Sequence, residues 1–298
     1  MSASQLPILA AAIGSTFGGT AAVVARILAP EVGPTTVSLL RYLGLLLLLV
    51  ALAPLFRARW PRIARRDWPI MIAFGILQFA LFGWFFSAGF AYVSAARGAI
   101  VLATMPIQTL IIAAIVGREH FTVTKLLGTL LGAVGVAVAL WSDEAASSAD
   151  SWKGDLCLLA AGFVTALNSV LVGPYLVRYS VHAVSVVATL VGCLLLGSLS
   201  LASGAYVEFS QLSSRGWLAI AYFAAVPTFL GFITWTWALS RVAPTRVTVT
   251  VVLNPIAAAV TGAWFLGERI DPRILIGLAL VTAAIVVVNW PSRASPHQ

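Results

Sequence analysis

The chain has 298 residues, of which 60% are hydrophobic and 9% charged, with a formal net charge of +8. Soluble domains run at about 45–50% apolar and about 25% charged, so this composition excludes a cytosolic enzyme, a nucleic-acid-binding domain and a secreted disulfide scaffold. It implies a membrane protein with no length left for a soluble domain.

Apolar runs near the roughly 20 residues that cross a bilayer recur ten times, at about 7–28, 34–56, 69–90, 95–116, 122–141, 154–177, 183–203, 216–240, 245–266 and 270–290. The first follows a start, Met1 to Leu6, that lacks the positive region of a signal peptide, and it reads as a retained helix. The second carries Arg41, the only charge well inside a span. The third carries Phe74, Gln78, Phe82 and Phe85 at helical spacing. The fourth and ninth contain Pro106 and Pro255, each expected to interrupt its helix at mid-membrane. Cys157 and Cys193 lie in the sixth and seventh, where they read as small packing residues, neither a disulfide framework nor metal ligands. None of the runs alternates with period two, so a barrel is excluded and the expected fold is an all-α polytopic membrane protein.

Lys and Arg set the orientation, because cytoplasmic loops retain positive charge. With the N-terminus inside, one set of loops carries eleven basic residues, among them Arg57, Arg59, Arg62, Arg65 and Arg66, and the other set six. Both termini, including a tail at 293–298, are therefore expected in the cytoplasm. Basicity reads as an orientation signal touching lipid headgroups, with no nucleic-acid partner implied. Trp60, Trp68, Trp141, Trp152, Trp217 and Trp290 fall at span ends, as interfacial anchors do.

Displacing the chain against itself by 149 residues aligns Arg97–Trp141 with Arg246–Trp290 without a gap. Arg97 meets Arg246, Pro106 meets Pro255, Glu119 meets Glu268, Gly128 meets Gly277 and Trp141 meets Trp290, within 10 identities over 45 positions. Arginine, proline and glutamate are rare inside apolar segments, so the matches indicate duplication. An odd number of spans per unit inverts the second unit, giving two five-helix repeats at 1–145 and 150–292. Secondary transporters are built this way, with the substrate site near mid-membrane where the repeats meet.

The segment Tyr92-Val93-Ser94-Ala95-Ala96-Arg97, followed by Pro106, by Gly117-Arg118-Glu119 and by Gly128, resembles the EamA-type half of the drug/metabolite transporter superfamily. Ala243-Pro244-Thr245-Arg246, Asn254-Pro255, Gly267-Glu268-Arg269 and Gly277 repeat the pattern, and Arg41 in Leu39-Leu40-Arg41-Tyr42 is similar to an arginine early in the family's second helix. The resemblance implies a ten-helix exporter with both termini inside, a cavity framed by helices 1, 3, 4, 6, 8 and 9, and helices 5 and 10 at the periphery. It also points to metabolite exporters of the bacterial inner membrane, including YddG-type aromatic amino-acid exporters.

All ten carboxylates fall at or near span ends. An ionisable group in the membrane is the usual means of proton or cation coupling, so its absence favours facilitated transport. Thr16, Gln78, Thr104, Gln108, Thr165, Asn168, Thr228 and Asn254 fall near mid-span on the six cavity helices, and Thr16 and Thr165 are repeat mates. For each amide an interhelical hydrogen bond competes with a role in the site. From these residues and the aromatic stripe, the candidate substrate-binding set is Thr16, Phe17, Gln78, Phe82, Thr104, Thr165, Asn168 and Asn254. The candidate hinge or gating residues are Pro106, Pro255 and Arg41. Two readings of Arg41 stay open: a snorkel or structural pair, and a contact with a substrate carboxylate.

The resulting expectation is an inner-membrane exporter of amino acids or similar metabolites, monomeric, embedded in lipid and without cofactor, metal or catalytic residues. A drug or nucleotide-sugar carrier, a lipid flippase and an intramembrane enzyme are the alternatives.

Overall fold

The computed structural model describes residues 5–54, 63–118, 122–140, 150–267 and 272–289. Among these residues there are no strands, one short 3-10 stretch at Ala205–Gln211 and ten long helical segments. They are α1 (Gln5–Leu28), α2 (Pro34–Ala51), α3 (Arg65–Phe90), α4 (Ala95–Ile115), α5 (Val123–Leu140), α6 (Ser151–Tyr179), α7 (Val181–Ser203), α8 (Ser214–Leu239), α9 (Pro244–Leu266) and α10 (Pro272–Asn289). The first four and α6 to α9 are long and apolar enough to cross a membrane. Their exposed surface carries large apolar side chains such as Leu47, Ile115, Leu194 and Trp264, as a lipid-facing surface requires. Trp68, Trp152 and Trp217 are exposed near helix starts, while Trp60, Trp141 and Trp290 lie outside the described residues.

The packing has the symmetry that duplication predicts. Helix α1 packs on α8 and α9, and its counterpart α6 packs on α3 and α4. Likewise α2 packs on the middle of α8 as α7 does on the middle of α3, while α2 meets α7, α4 meets α9 and α5 meets α10. Exchanging the halves leaves this pattern unchanged, which is what a two-fold axis between two inverted five-helix repeats produces. α5 and α10 pack most extensively on each other, away from the centre.

Without a hydrophobic force between helices in lipid, close packing depends on small residues. A methyl group on Gly19 of α1 would lie 2.6 Å from the Ala257 side chain of α9, and one on Gly75 of α3 would lie 2.6 Å from the Ala188 carbonyl of α7. α4 and α9 end on left-handed glycines, Gly117 and Gly267, and Arg118 N–H closes the α4 end on the Ala113 carbonyl at 2.8 Å.

Four helices are interrupted at matched positions. α3 turns π-helical over Ile76–Leu81, and α8 does so over Ala224–Leu230. α4 breaks at Ala103 and Thr104 before restarting at Met105, while α9 tightens to 3-10 geometry over Val249–Val252 before restarting at Leu253. Pro106 and Pro255 thus sit in the first turns of restarted helices, where the missing N–H costs nothing. The interruptions fall just before them.

Polar contacts tie the halves at both ends. Near the α3 start, buried Asp67 accepts a hydrogen bond from the hydroxyl of Tyr179 and forms an ion pair with Arg178 at 3.0 Å, both on α6. At the far end of α3, Arg97 of α4 binds both carboxylate oxygens of Asp155 of α6, at 3.0 and 2.6 Å. There too Glu31 accepts from Ser213 N–H at 2.9 Å, and Glu208 accepts from Gly33 N–H at 2.8 Å. Glu119, Glu268 and Arg269 lie outside the described residues, while Arg118 donates to the Val170 carbonyl at 2.7 Å.

Candidate functional site

The interrupted helices surround a cavity of about 150 Å³, measured as space open to the centre of a water-sized sphere. A water needs about 10–15 Å³ on that measure, so the space suits roughly ten to fifteen non-hydrogen atoms. α1 contributes Gly14, Ser15 and Gly18, and α2 contributes Arg41 and Tyr42. The π-helical segments of α3 and α8 contribute Gln78, Phe79, Pro227 and Thr228, and the breaks of α4 and α9 bring Met105, Val251 and Asn254. Thr165 is the contribution of α6.

The wider π turn changes the phase of the α3 stripe. Gln78, Phe79, Phe82 and Phe86 line the cavity, whereas Phe74 packs in the core and Phe85 meets Trp84 edge-to-face. The expected stripe of Phe74, Gln78, Phe82 and Phe85 is corrected accordingly, because a regular α-helical spacing does not run through residues 76–81. Asn168 stands behind Gln78, donating its side-chain amide to Gln78 Oε1 at 3.0 Å. One of two neighbouring amides is thereby spent on holding the other.

Among the described residues, Arg41 is the only charged one that lines the cavity. It is 3% exposed, and its guanidinium carbon lies 4.3, 4.7 and 5.2 Å from the ring centroids of Tyr42, Phe223 and Phe86. One amine of the guanidinium donates to the Tyr42 hydroxyl, and its Nε has no hydrogen-bond partner. The side chain therefore does not snorkel along α2 to the membrane surface. Aromatic faces carry negative potential and hold the cation in place of a carboxylate.

Four members of the candidate set, Gln78, Phe82, Thr165 and Asn254, line the cavity together with Arg41, and Asn168 supports them. Thr16 is exposed on the bundle surface and donates to the Ala12 carbonyl at 3.0 Å, and Phe17 beside it is also outside the lining. Thr104 caps the α4 break by donating to the Val101 carbonyl at 2.7 Å, and Gln108 donates to Thr104 and the Leu159 carbonyl. Ser15, in contact with Thr250 of α9 at 2.8 Å, is a lining residue the sequence reading missed. So are Tyr42, Phe79, Phe223 and Phe232. A signal for the aromatic wall was available, since Phe86 and Trp235 are repeat mates 149 apart and both line the cavity.

Ten helices in two inverted halves, closing on a cavity at the centre of the bundle, define a multi-pass membrane transporter of small molecules. The EamA-like transporter family model matches twice, over residues 5–141 and 152–290. The chain belongs to that family. It is 26% identical to a probable terminal-alkyne amino-acid exporter of Streptantibioticus cattleyicolor, over 81% of this chain and 79% of that one. It is also 26% identical to a probable amino-acid metabolite efflux pump of Salmonella typhimurium, over 82% and 83%, and 24% identical to a chloroplastic WAT1-related protein of Arabidopsis thaliana, over 92% and 67%. A solved crystal structure 16% identical in sequence superposes with a TM-score of 0.73 over 97% of both chains and shows the shared fold.

Proposed function

We propose that this transporter exports amino acids with apolar or aromatic side chains, or metabolites of the same size and polarity, across the inner membrane by alternating access. The observation that carries the reading is the cavity lining: aromatic and aliphatic walls, a few amides and hydroxyls, the Arg41 guanidinium and, among the described residues, no carboxylate. Such a surface suits an apolar side chain, while its few polar groups fix orientation. The amino-acid exporters among its relatives support the same substrate class.

In this reading Thr165, Gln78, Phe82 and Asn254 contact the substrate, and Asn168 fixes the Gln78 rotamer. The matched interruptions of α3, α4, α8 and α9, with Pro106 and Pro255, supply the flexible points. Rocking of the halves parts the Asp67–Arg178–Tyr179 contacts on the cytoplasmic side and the Arg97–Asp155 pair on the periplasmic side in turn, with both termini in the cytoplasm. Among the described residues no carboxylate lines the cavity, which favours efflux along the substrate gradient, and a monomer suffices because the cavity lies within one chain.

The test is efflux from liposomes containing the purified protein and loaded with labelled L-phenylalanine, L-leucine or L-lysine. Phenylalanine and leucine should leave faster than from protein-free liposomes, saturably, and lysine should not. Equal leakage of all three, or acceleration that requires an imposed proton gradient at clamped membrane potential, would refute the substrate class or the uniport respectively.

A further inference from the structure

A buried guanidinium without a counter-ion is costly in a membrane interior, and proteins normally pair such a group. Arg41 is 3% exposed, and none of the ion pairs found among the described residues includes it. Its Nε is a buried donor with no acceptor, and the residue lines the cavity. Arginine remains protonated in proteins, so the cavity carries a fixed positive charge. Four aromatic rings hold it, those of Tyr42, Phe223, Phe86 and, at 5.7 Å, Phe82. Cation–π contacts stabilise the cation through its faces and leave its edge N–H donors to other partners: one meets the Tyr42 hydroxyl, and Nε has none. Those donors form a fork that fits a carboxylate.

We infer that Arg41 is the anion anchor of the transport cavity and that transported substrates must carry a carboxylate, which the guanidinium edge binds while the aromatic rings hold its faces. The inference rests on the reading of the cavity as the substrate site and adds its charge requirement. Two further lining atoms, Thr165 Oγ1 and Asn254 Oδ1, are buried without partners. They are neutral acceptors, so the cavity tolerates an ammonium group without demanding one. Zwitterions and monocarboxylates are admitted, and free amines meet an uncompensated positive charge. A phosphate dianion would bring a second negative charge for which the lining holds no second cation.

The ligand series 3-phenylpropionate, L-phenylalanine, L-phenylalaninamide, phenethylamine and phenyl phosphate, measured for binding to the purified full-length protein in detergent, tests this on the unmodified chain. The first two should bind and the other three should be weaker by at least about tenfold. Arg41→Lys and Arg41→Gln should both weaken 3-phenylpropionate on the order of 100-fold, the cost of removing one partner of a buried charge pair. If L-phenylalaninamide or phenethylamine binds the unmodified protein as well as 3-phenylpropionate does, or if none of the five binds, the anchor is wrong. It is equally wrong if Arg41→Gln elutes as a folded monomer and exports phenylalanine at the original rate, which would leave the amino-acid reading standing. Binding of 3-phenylpropionate that depends on Arg41, without phenylalanine transport, would keep the anchor and overturn the amino-acid reading.

Discussion

Replacing Asp155 by Asn should release one end of the transporter. Arg97 and Asp155 join α4 of the first half to α6 of the second through bonds of 3.0 and 2.6 Å, with side chains only 13% and 21% exposed. With charge centres about 4 Å apart and an effective dielectric of about 20, the attraction is roughly 4 kcal/mol. Desolvation of two mostly buried groups offsets about half of it, leaving on the order of 2 kcal/mol, or about 30-fold in an equilibrium. If that end opens by parting α4 from α6, the open population rises by this factor. Met105 lines the cavity and is 4% exposed, so a cysteine there, in a chain with Cys157 and Cys193 replaced by alanine, reports the opening. A membrane-impermeant maleimide added outside intact cells should label the Asp155→Asn protein at least about tenfold faster, and the charge exchange Arg97→Asp with Asp155→Arg should restore slow labelling. An unchanged rate in a correctly folded variant, or failure of the exchange to restore it, would show that this pair does not hold the end closed.

Gly192→Ala should lower the melting temperature in detergent, since its new methyl group collides with Phe79 Cβ across the α3–α7 contact, a clash of about 1–3 kcal/mol. Gly197→Ala, one and a half turns along, meets nothing within 4 Å and should be neutral or slightly stabilising; equal shifts would contradict the packing described. A double-mutant cycle of Gln78→Leu and Asn168→Leu should give a coupling of about 0.6–2 kcal/mol for their 3.0 Å bond, whereas additive effects would mean that the amides act separately. A C-terminal alkaline phosphatase fusion should be inactive and a C-terminal fluorescent protein bright, the opposite pair of results reversing the topology.

Spans and duplication were legible because they depend on quantities a single sequence carries: run length, charge placement and a 149-residue period marked by rare residues. The resemblance implied a cavity framed by helices 1, 3, 4, 6, 8 and 9, and α2 joins them through Arg41 and Tyr42. The individual lining residues were less so. Thr16 lies on α1 one residue from Ser15, which lines the cavity, and one residue turns a helix by about 100°. Span boundaries uncertain by a few residues cannot fix that phase. The π-helical segment of α3 introduced a second phase error, visible only once its hydrogen bonds are known. Arg41 was recognised as unusual, but its direction depends on aromatic residues of α3 and α8, far away in the chain.

Backbone and side chains follow different symmetries, and transport needs both. The interruptions match: π turns in α3 and α8, and breaks in α4 and α9. Two halves with equivalent flexible points can exchange roles, as the proposed alternating access requires. The polar chemistry of the lining does not repeat in this way. At the 149-residue offset Arg41 corresponds to Leu190, which is 45% exposed, Gln78 to Pro227 and Asn254 to Met105. If both halves carried the guanidinium, two opposed anchors would demand a dianion or repel each other. With one anchor, the ligand keeps a single orientation while the symmetric scaffold changes state around it, so the residues that break the repeat are where substrate specificity should be sought.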